Sequence, residues 1–152
     1  MADLALVWRD LAADCAVADA DLALDDTLQT AVILSLFLDR RARPDDVIPD
    51  GTGNPRGWWA DTILRDDAGR YDQHGSRLWL LSREKQMVEV LRRAKDYADE
   101  GLAWLLEDGL ATKIEVTPSN PRDGILWLDI VITLPDGTLQ TYRYGTELDH
   151  AV

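Results

Sequence analysis

The clearest pattern in the chain is an amphipathic helix in its second half. Its apolar residues recur at helical spacing, at Met87, Leu91, Ala94, Ala98, Leu102 and Leu105. Ser82 is a good N-cap with Glu84 in the first turn, and Gly109 is a natural C-cap. The pattern therefore predicts a helix of about 25 residues. We expect these apolar residues to form one stripe that packs the helix against a sheet. Four further residues widen the stripe: Val88, Val90, Tyr97 and Trp104.

A second helix is predicted in the first third of the chain. Asp25 or Asp26 can cap a helix that begins near Thr27. We expect this helix to end in Asp39-Arg40-Arg41, where the cations suit the negative end of the helix dipole. Residues 28–38 leave almost no polar face. The helix is therefore expected to be central to the core, with coverage by another subunit as the alternative.

Alternating apolar and polar residues predict strands at both ends of the chain. Leu4, Leu6 and Trp8 indicate one short strand, and a weaker alternation over residues 16–24 predicts a partner for it, giving an N-terminal hairpin. Near the C-terminus, Ile114 and Val116 belong to a first strand, and two further strands flank the turn Pro135-Asp136-Gly137. The predicted fold class is α+β, with one long and one shorter helix packed on an antiparallel sheet that ends in a C-terminal hairpin.

Helical and strand periodicity both disappear between the two helices, from Arg43 to about His74. Proline, glycine and aspartate dominate there, and so long a connection is generally functional or held by a partner. We expect a single domain over residues 1–152 with a long ordered loop over residues 43–75. An ordered surface loop without a partner is the alternative.

Two Gly/Arg/Trp motifs are associated with this loop, Pro55-Arg56-Gly57-Trp58-Trp59 and Gly75-Ser76-Arg77-Leu78-Trp79. Tryptophan and arginine are frequent anchors of protein–protein contacts, and glycine lets a backbone approach a neighbour closely. Arg56 and Arg77 either pair with an aspartate of the same chain or reach across an interface. We expect Arg77 to be internal and Trp58 or Trp59 to face a partner, with Trp79 adding apolar contact.

Composition narrows the possible partners. The chain carries 28 acidic and 16 basic residues, for a net charge of -12, which disfavours nucleic acid and anionic lipid surfaces. The single cysteine, Cys15, has no partner for an internal disulfide and indicates a reduced cytoplasm. No apolar run is long enough for a membrane span, and no targeting segment is visible in the sequence.

Several residues that could carry chemistry lack the rest of a catalytic pattern. Cys15 has only His74 and His150 as possible bases, and both are distant in sequence. Ser82-Arg83-Glu84-Lys85 has the S-x-x-K form of a serine acylase but no K-T-G partner, and the adjacent pair Glu107-Asp108 is poorly spaced for a glycosidase. We therefore predict no catalytic residue and no small-molecule substrate.

Clusters of aspartates are the candidates for binding a metal ion, and one glycine-rich segment is the candidate for binding a phosphate. Asp45-Asp46, Asp66-Asp67 and Asp19-Ala20-Asp21 lack the spacing of a calcium loop and its terminal glutamate. Gly51-Thr52-Gly53 has neither the lysine nor the preceding strand of a phosphate loop. The prediction is no metal and no cofactor.

Taken in order, the motifs resemble those of the Mu-like phage and prophage baseplate family, the counterpart of a small wedge protein of larger contractile-tailed phages. The resemblance runs from about Leu4 to Tyr144 and is carried by residues 30–42, Pro49-Asp50-Gly51, Arg56-Gly57-Trp58-Trp59, residues 75–81 and residues 104–109. It implies a structural subunit of the tail baseplate that joins a wedge neighbour and starts sheath polymerisation. It also implies assembly in the host cytoplasm and a final location in the virion tail.

Relatives of this family carry a Glu-Pro-Arg motif between the long helix and the next strand. The corresponding residues here are Glu107-Asp108-Gly109, so only Glu107 is carried over as a contact residue. A sheath initiator also needs a strand that a sheath subunit can pair with. The segment 138–144 is the candidate, with Gln140, Tyr142 and Arg143 as contact residues. An ordinary protected edge strand is the alternative.

Two other functions compete with the structural one. A tail-associated cell-wall hydrolase would need Glu107 or Glu84 as an acid with a raised pKa. A small acidic regulator would bind a basic protein through its charge and show a strong salt dependence.

Overall fold

The structure is a computed structural model that describes residues 3–65, 67–82, 87–122 and 124–148. Six short strands occupy its N-terminal part: β1 Asp3–Leu4, β2 Leu6–Arg9, β3 Ala12–Cys15, β4 Val17–Ala18, β5 Asp21–Leu22 and β6 Leu24–Asp25. The remaining elements are α1 Gln29–Phe37, two 3-10 helices at Trp59–Thr62 and Leu78–Leu81, α2 Met87–Glu107, β7 Lys113–Arg122, β8 Ile125–Thr133 and β9 Leu139–Glu147.

The N-terminal strands form three short antiparallel arms, β1 with β6, β2 with β3 and β4 with β5. The arms meet at three alanines: the N–H of Ala5 donates to the carbonyl of Ala23, that of Ala23 to Ala16, and that of Ala16 to Ala5, at 2.8–2.9 Å. An N-terminal hairpin is present as β2 and β3, but the partner of the first strand is Ala12–Cys15 and not the predicted residues 16–24. The prediction of one further strand over residues 16–24 is wrong, because Asp19 and Ala20 adopt left-handed φ angles and fold that segment into a hairpin of its own.

Helix α1 is shorter than predicted and ends at Phe37, so the predicted cationic last turn is wrong. Asp25 does act at its beginning, where one carboxylate oxygen accepts the N–H of Thr30 at 2.8 Å. Burial opposes the negative charge of Asp25, but the hydrogen bonds from Thr27 and Thr30 outweigh burial and lower the pKa of this carboxyl. Val32, Ile33 and Leu36 are buried in the core, as expected, whereas Leu34 and Leu38 are exposed.

After α1 the chain is tied to the second Gly/Arg/Trp motif. The N–H of Ser76 donates to the carbonyl of Leu38, and the N–H of Arg40 donates to the carbonyl of Ser76, both at 3.0 Å. Gly75 makes this contact possible, since its φ angle is +81° and an added Cβ would lie 2.2 Å from the Leu38 carbonyl oxygen. The close neighbour of this glycine is therefore a segment of the same chain.

Helix α2 buries the predicted stripe through Val90, Ala94, Ala98, Leu102 and Leu105. Val88 was expected to widen this stripe, but its side chain is 86% exposed. Gly109 ends the helix with a φ angle of +72°, as predicted. The predicted first turn around Glu84, and with it the capping role of Ser82, falls on residues outside the described part. Ser82 itself closes the preceding 3-10 helix.

The C-terminal sheet has the order β7-β8-β9 and is antiparallel throughout. Alternate residues of β8, from Leu126 to Ile132, are buried on the face covered by the helices, which confirms the α+β fold with helices on one face. The opposite face carries partly exposed residues such as Trp127 and Asp129. Among the described residues, no helix is long and apolar enough to cross a membrane.

Candidate interaction surfaces

The outer edge of β9 is the first candidate surface. In an antiparallel strand each residue directs its N–H and C=O to the same side, and that side alternates along the strand. The carbonyl of Gly145 points outward, because it accepts the indole Nε1 of Trp8 at 2.8 Å. Leu139, Thr141 and Arg143 share its orientation. Among the described residues, no backbone hydrogen bond uses the outward groups of these three residues. The edge of β9 is therefore open up to the Trp8 contact.

The opposite edge of the sheet, along β7, differs in one residue. Leu128 directs its backbone groups toward β9, so its neighbours Trp127 and Asp129 direct theirs toward β7. Their partners Ser119 and Thr117 therefore face β8, and Pro118 between them faces the outer side. Proline has no N–H to donate, and it is a common feature of edges that are protected from further pairing. The two edges of the sheet are therefore chemically unequal.

Sequence reasoning singled out three side chains on β9, and the structure separates them. Gln140 and Tyr142 lie on the covered face: the amide oxygen of Gln140 accepts the N–H of Leu28 and the hydroxyl of Tyr142. Burial raises the pKa of Tyr142, and burial also raises that of its neighbour Tyr144. Arg143 lies on the exposed face, 3.5 Å from Asp129 and over the ring of Trp127. Only Arg143 thus combines an outward backbone with an exposed side chain.

A second candidate surface is the aromatic patch, which we define as Trp58, Trp59, Ile63 and Leu64. Trp59 is 71% exposed, and the other three side chains are also exposed. Asp61, which lies in the sequence between the two tryptophans and Ile63, anchors this part of the chain. It is 2% exposed, and its Oδ1 lies 2.8 Å from Nδ1 of His74. The His74 ring in turn meets Trp58 edge-on. Fixing Asp61 in the interior holds the neighbouring aromatic side chains outward.

Arg77 is held inside the chain, as expected, and is 7% exposed. Its guanidinium contacts Asp46 and Glu100, each at 2.9 Å. Burial opposes the charge on Arg77, but these carboxylates outweigh it and raise the arginine pKa. Likewise, burial opposes the charge on Glu100, and Arg77 outweighs it, so the Glu100 pKa is lowered. Because both carboxylates belong to the same chain, Arg77 is not part of the proposed contact surfaces.

The first Gly/Arg/Trp motif is also bonded internally. Arg56 contacts Asp39 at 2.8 Å and Asp50 at 3.3 Å, and its guanidinium lies 4.4 Å from the ring centre of Trp79. The indole of Trp79 donates to the carbonyl of Arg40 at 2.8 Å. Arg56 therefore pairs with aspartates of its own chain, one of the two alternatives that the sequence left open, and Trp79 binds the segment that follows α1.

Glu107 and Asp108 are exposed at the end of α2. They line an open groove between α1 and α2, together with Leu34, Leu38 and Trp104. A glycosidase acid needs burial that raises its pKa, and neither carboxylate is buried. Glu84 and His150 lie outside the described residues, as does Asp66. Within the described ranges no cluster of three His, Cys, Asp or Glu side chains fits a metal ion.

The fold and these surfaces define a small α+β protein with one open and one blocked sheet edge. The chain belongs to the family described as Phage protein GP46, whose model matches residues 28–139. The baseplate protein gp46 of Escherichia phage Mu is 44% identical over 144 residues, 95% of each chain. The Mu-like prophage FluMu protein gp46 of Haemophilus influenzae is 41% identical over 150 residues, 97% of this chain and all of the relative.

These relationships confirm the predicted resemblance to the Mu-like baseplate family. The matching family and the relative named as a baseplate protein indicate no catalytic family, in agreement with the prediction from the sequence that the chain is not an enzyme.

Proposed function

We propose that this protein is a structural subunit of the baseplate of a contractile phage tail or a prophage-derived injector. In this role it joins a neighbouring wedge subunit and nucleates the tail sheath by strand pairing. The family and the names of the relatives support the baseplate role and a final location in the virion tail. Assembly would take place in the host cytoplasm, with residues 1–152 acting as one domain.

The observation that carries the sheath proposal is the difference between the two edges of the sheet. Strand pairing needs a row of free backbone donors and acceptors. Leu139, Thr141 and Arg143 direct theirs outward from β9, whereas β7 presents Pro118. An extended arm of a sheath subunit would therefore add beside β9. Its pairing would run through about three outward residues before the Trp8 contact at Gly145, with Arg143 contributing its side chain.

The aromatic patch is the proposed contact with a wedge neighbour. Exposed aromatic side chains on an anchored loop contribute large apolar area with little entropy loss on binding. Trp58 and Trp59 meet this condition because Asp61 and His74 fix the loop beside them. Glu107, at the position of the relatives' motif, is the proposed charged contact in the groove between α1 and α2.

The strand-pairing proposal is tested by replacing Thr141 with proline. This removes one outward N–H, and the ladder with β8 does not use that group. The matched control is Thr141→Val, which keeps the N–H and the strand preference. In tails assembled with either variant, we expect electron microscopy to show baseplates containing the subunit, but sheaths only with the control. Normal sheaths on the proline variant would exclude pairing at this edge.

A separate experiment tests the wedge contact. Trp58→Ala with Trp59→Ala should leave the isolated protein folded by circular dichroism and remove it from purified baseplates. The control is Val47→Ala, which changes another exposed apolar residue of the same loop. Collapse of the isolated double variant would instead show that the tryptophans stabilise the fold.

A further inference from the structure

The groove between α1 and α2 has three walls that contacts within the chain hold in place. The indole Nε1 of Trp104 on α2 donates to Oγ of Ser35 on α1 at 2.8 Å, and that hydroxyl donates to the carbonyl of Ala31 at 2.7 Å. The two helices approach closely beside this bond, because a Cβ added to Gly101 would lie 2.8 Å from the Ser35 carbonyl oxygen. The third wall is the segment 67–75.

Arg65 holds the third wall. Its guanidinium donates to the carbonyl of Gly69 and to the hydroxyl of Tyr71, both at 2.9 Å, and lies 4.4 Å from the centre of the Tyr71 ring. The N–H of Asp72 donates to the carbonyl of Leu64 at 3.2 Å. Because the walls are already ordered by these contacts, little conformational freedom remains to be lost when a ligand binds between them.

The inner surface of the groove is partly apolar and uncovered. Leu34, Leu38, Tyr71 and Trp104 line it, and each side chain is between 36% and 51% exposed. The groove has a volume of about 1040 Å³, which exceeds the roughly 300–1000 Å³ of typical small-molecule sites. Its size therefore suits several side chains of a polypeptide segment.

The charged side chains of the same groove restrict what can occupy it. Only two arginines are among its described lining residues, Arg40 and Arg70, and Arg40 lies 3.4 Å from Glu100. Six carboxylates line it: Asp3, Asp67, Asp72, Glu100, Glu107 and Asp108. Four of these form no ion pair with another described residue, namely Asp67, Asp72, Glu107 and Asp108. Negative charge and apolar surface therefore face the same occupant.

We propose that this groove binds a segment of a second protein in which apolar side chains are flanked by lysine or arginine. The apolar side chains contact Leu34, Leu38 and Trp104, and the cations lie beside the unpaired carboxylates. A second copy of this chain, with its net charge of -12, is disfavoured because it brings further carboxylates, and nucleic acid is repelled for the same reason. The inference rests on the proposed role of Glu107 as a contact residue and adds the chemistry of its partner.

Three synthetic helical peptides of equal length test the apolar and the charged contribution separately. One consists of leucine and lysine, one has alanine in place of leucine, and one has glutamate in place of lysine. Binding of each labelled peptide to the isolated protein is measured by fluorescence anisotropy at physiological ionic strength. We expect the leucine–lysine peptide to bind at least about tenfold more tightly than either of the others. Equal binding of the alanine–lysine or the leucine–glutamate peptide would overturn the proposal.

Substitutions locate the binding at the groove. Leu34→Ser with Leu38→Ser, and Glu107→Gln with Asp108→Asn, should each weaken binding of the leucine–lysine peptide at least about fivefold. Circular dichroism checks that each variant is folded, and the carboxylate variant decides the test if the serine variant unfolds.

The matched controls are Val47→Ser with Val88→Ser, and Asp10→Asn with Asp45→Asn, which alter exposed residues of similar types outside the groove. We expect the controls to change the dissociation constant less than about twofold. Equal weakening by the controls would contradict the proposal. Because binding is measured with the isolated protein, such a result would leave the proposed function to the separate measurement of incorporation into baseplates.

Discussion

The indole Nε1 of Trp8 donates a hydrogen bond of 2.8 Å to the carbonyl oxygen of Gly145, across 137 positions of sequence. The same indole stacks on Phe37, with ring centres 3.9 Å apart. Gly145 has no side chain to obstruct this contact, and an added Cβ would lie 2.8 Å from Leu11 and from Trp127. One tryptophan therefore joins the N-terminal arms, α1 and the sheet, and it also ends the open edge of β9.

Replacing Trp8 with phenylalanine isolates the hydrogen bond from the stacking. The aromatic contact with Phe37 is retained, but the buried Gly145 carbonyl loses its donor, which should cost about 1–3 kcal/mol in the free energy of unfolding. Urea denaturation measures this loss. Trp59→Phe is the control, because that side chain is exposed, and it should change stability by less than about 0.5 kcal/mol. Equal effects of the two variants would mean that the bond is not what stabilises this contact.

The buried arginine should be far more important for stability than a surface arginine. Arg77→Met leaves Asp46 without its cation and removes one of the three arginines that contact Glu100, and it should cost about 3–5 kcal/mol. Arg92→Met removes two exposed ion pairs on α2 and should cost less than about 1 kcal/mol. Thermal and urea unfolding of both variants provide the comparison. A small loss of stability in Arg77→Met would show that Arg40 and Arg43, which already contact Glu100, compensate for the missing guanidinium.

The lowered pKa of Glu100 predicts how stability depends on pH. A carboxylate whose pKa is lower in the folded state than in the unfolded state contributes stability above the unfolded value, about 4.3, and this contribution is lost as the pH falls through the folded value. Glu100→Gln should therefore be less stable than the original protein at pH 7, and the difference should shrink below about pH 4. Urea unfolding at several pH values measures it. A difference independent of pH would contradict the assignment.

Two glycines in left-handed conformation should respond differently to alanine. At Gly75 the new Cβ would collide with the Leu38 carbonyl, whereas at Gly51 nothing lies within 4 Å. Gly51→Ala should lower the free energy of unfolding by about 1 kcal/mol from backbone conformation alone. Gly75→Ala should lower it by at least about 3 kcal/mol, because the hydrogen bond from the Ser76 N–H to the Leu38 carbonyl must break. Loss of hydrogen-exchange protection at the Ser76 amide would locate the damage.

One substitution in the turn between β4 and β5 should increase the stability of the protein. Ala20 has a φ angle of +63°, which costs an L-residue about 1–2 kcal/mol, and its side chain is exposed. Ala20→Gly should therefore stabilise the protein by about 0.5–1 kcal/mol, after the added entropy of the unfolded chain is counted. Ala18→Gly, in the adjoining strand, should destabilise it. A loss of stability at Ala20 would mean that the left-handed turn is not strained.

Local sequence patterns determined the long helix, the C-terminal hairpin and the family. The stripe from Val90 to Leu105, the glycine at 109 and the Pro135-Asp136-Gly137 turn predicted α2 and the hairpin correctly, because helix and strand periods follow directly from which side of an element is buried. The ordered motifs were sufficient for the Mu-like baseplate family. The sequence also indicated that Arg77 is internal and that no catalytic set is present.

Only the tertiary structure decided which distant groups meet. Periodicity reports that a residue is buried but not what it touches, so neither Asp46 and Glu100 around Arg77 nor Trp8 on Gly145 could be read from spacing. The turn at Asp19-Ala20 lacks the usual glycine, and for that reason the three arms were missed. On β9 the alternation of backbone direction, fixed by pairing with β8, decides that Arg143 faces outward while Gln140 and Tyr142 face the protein itself.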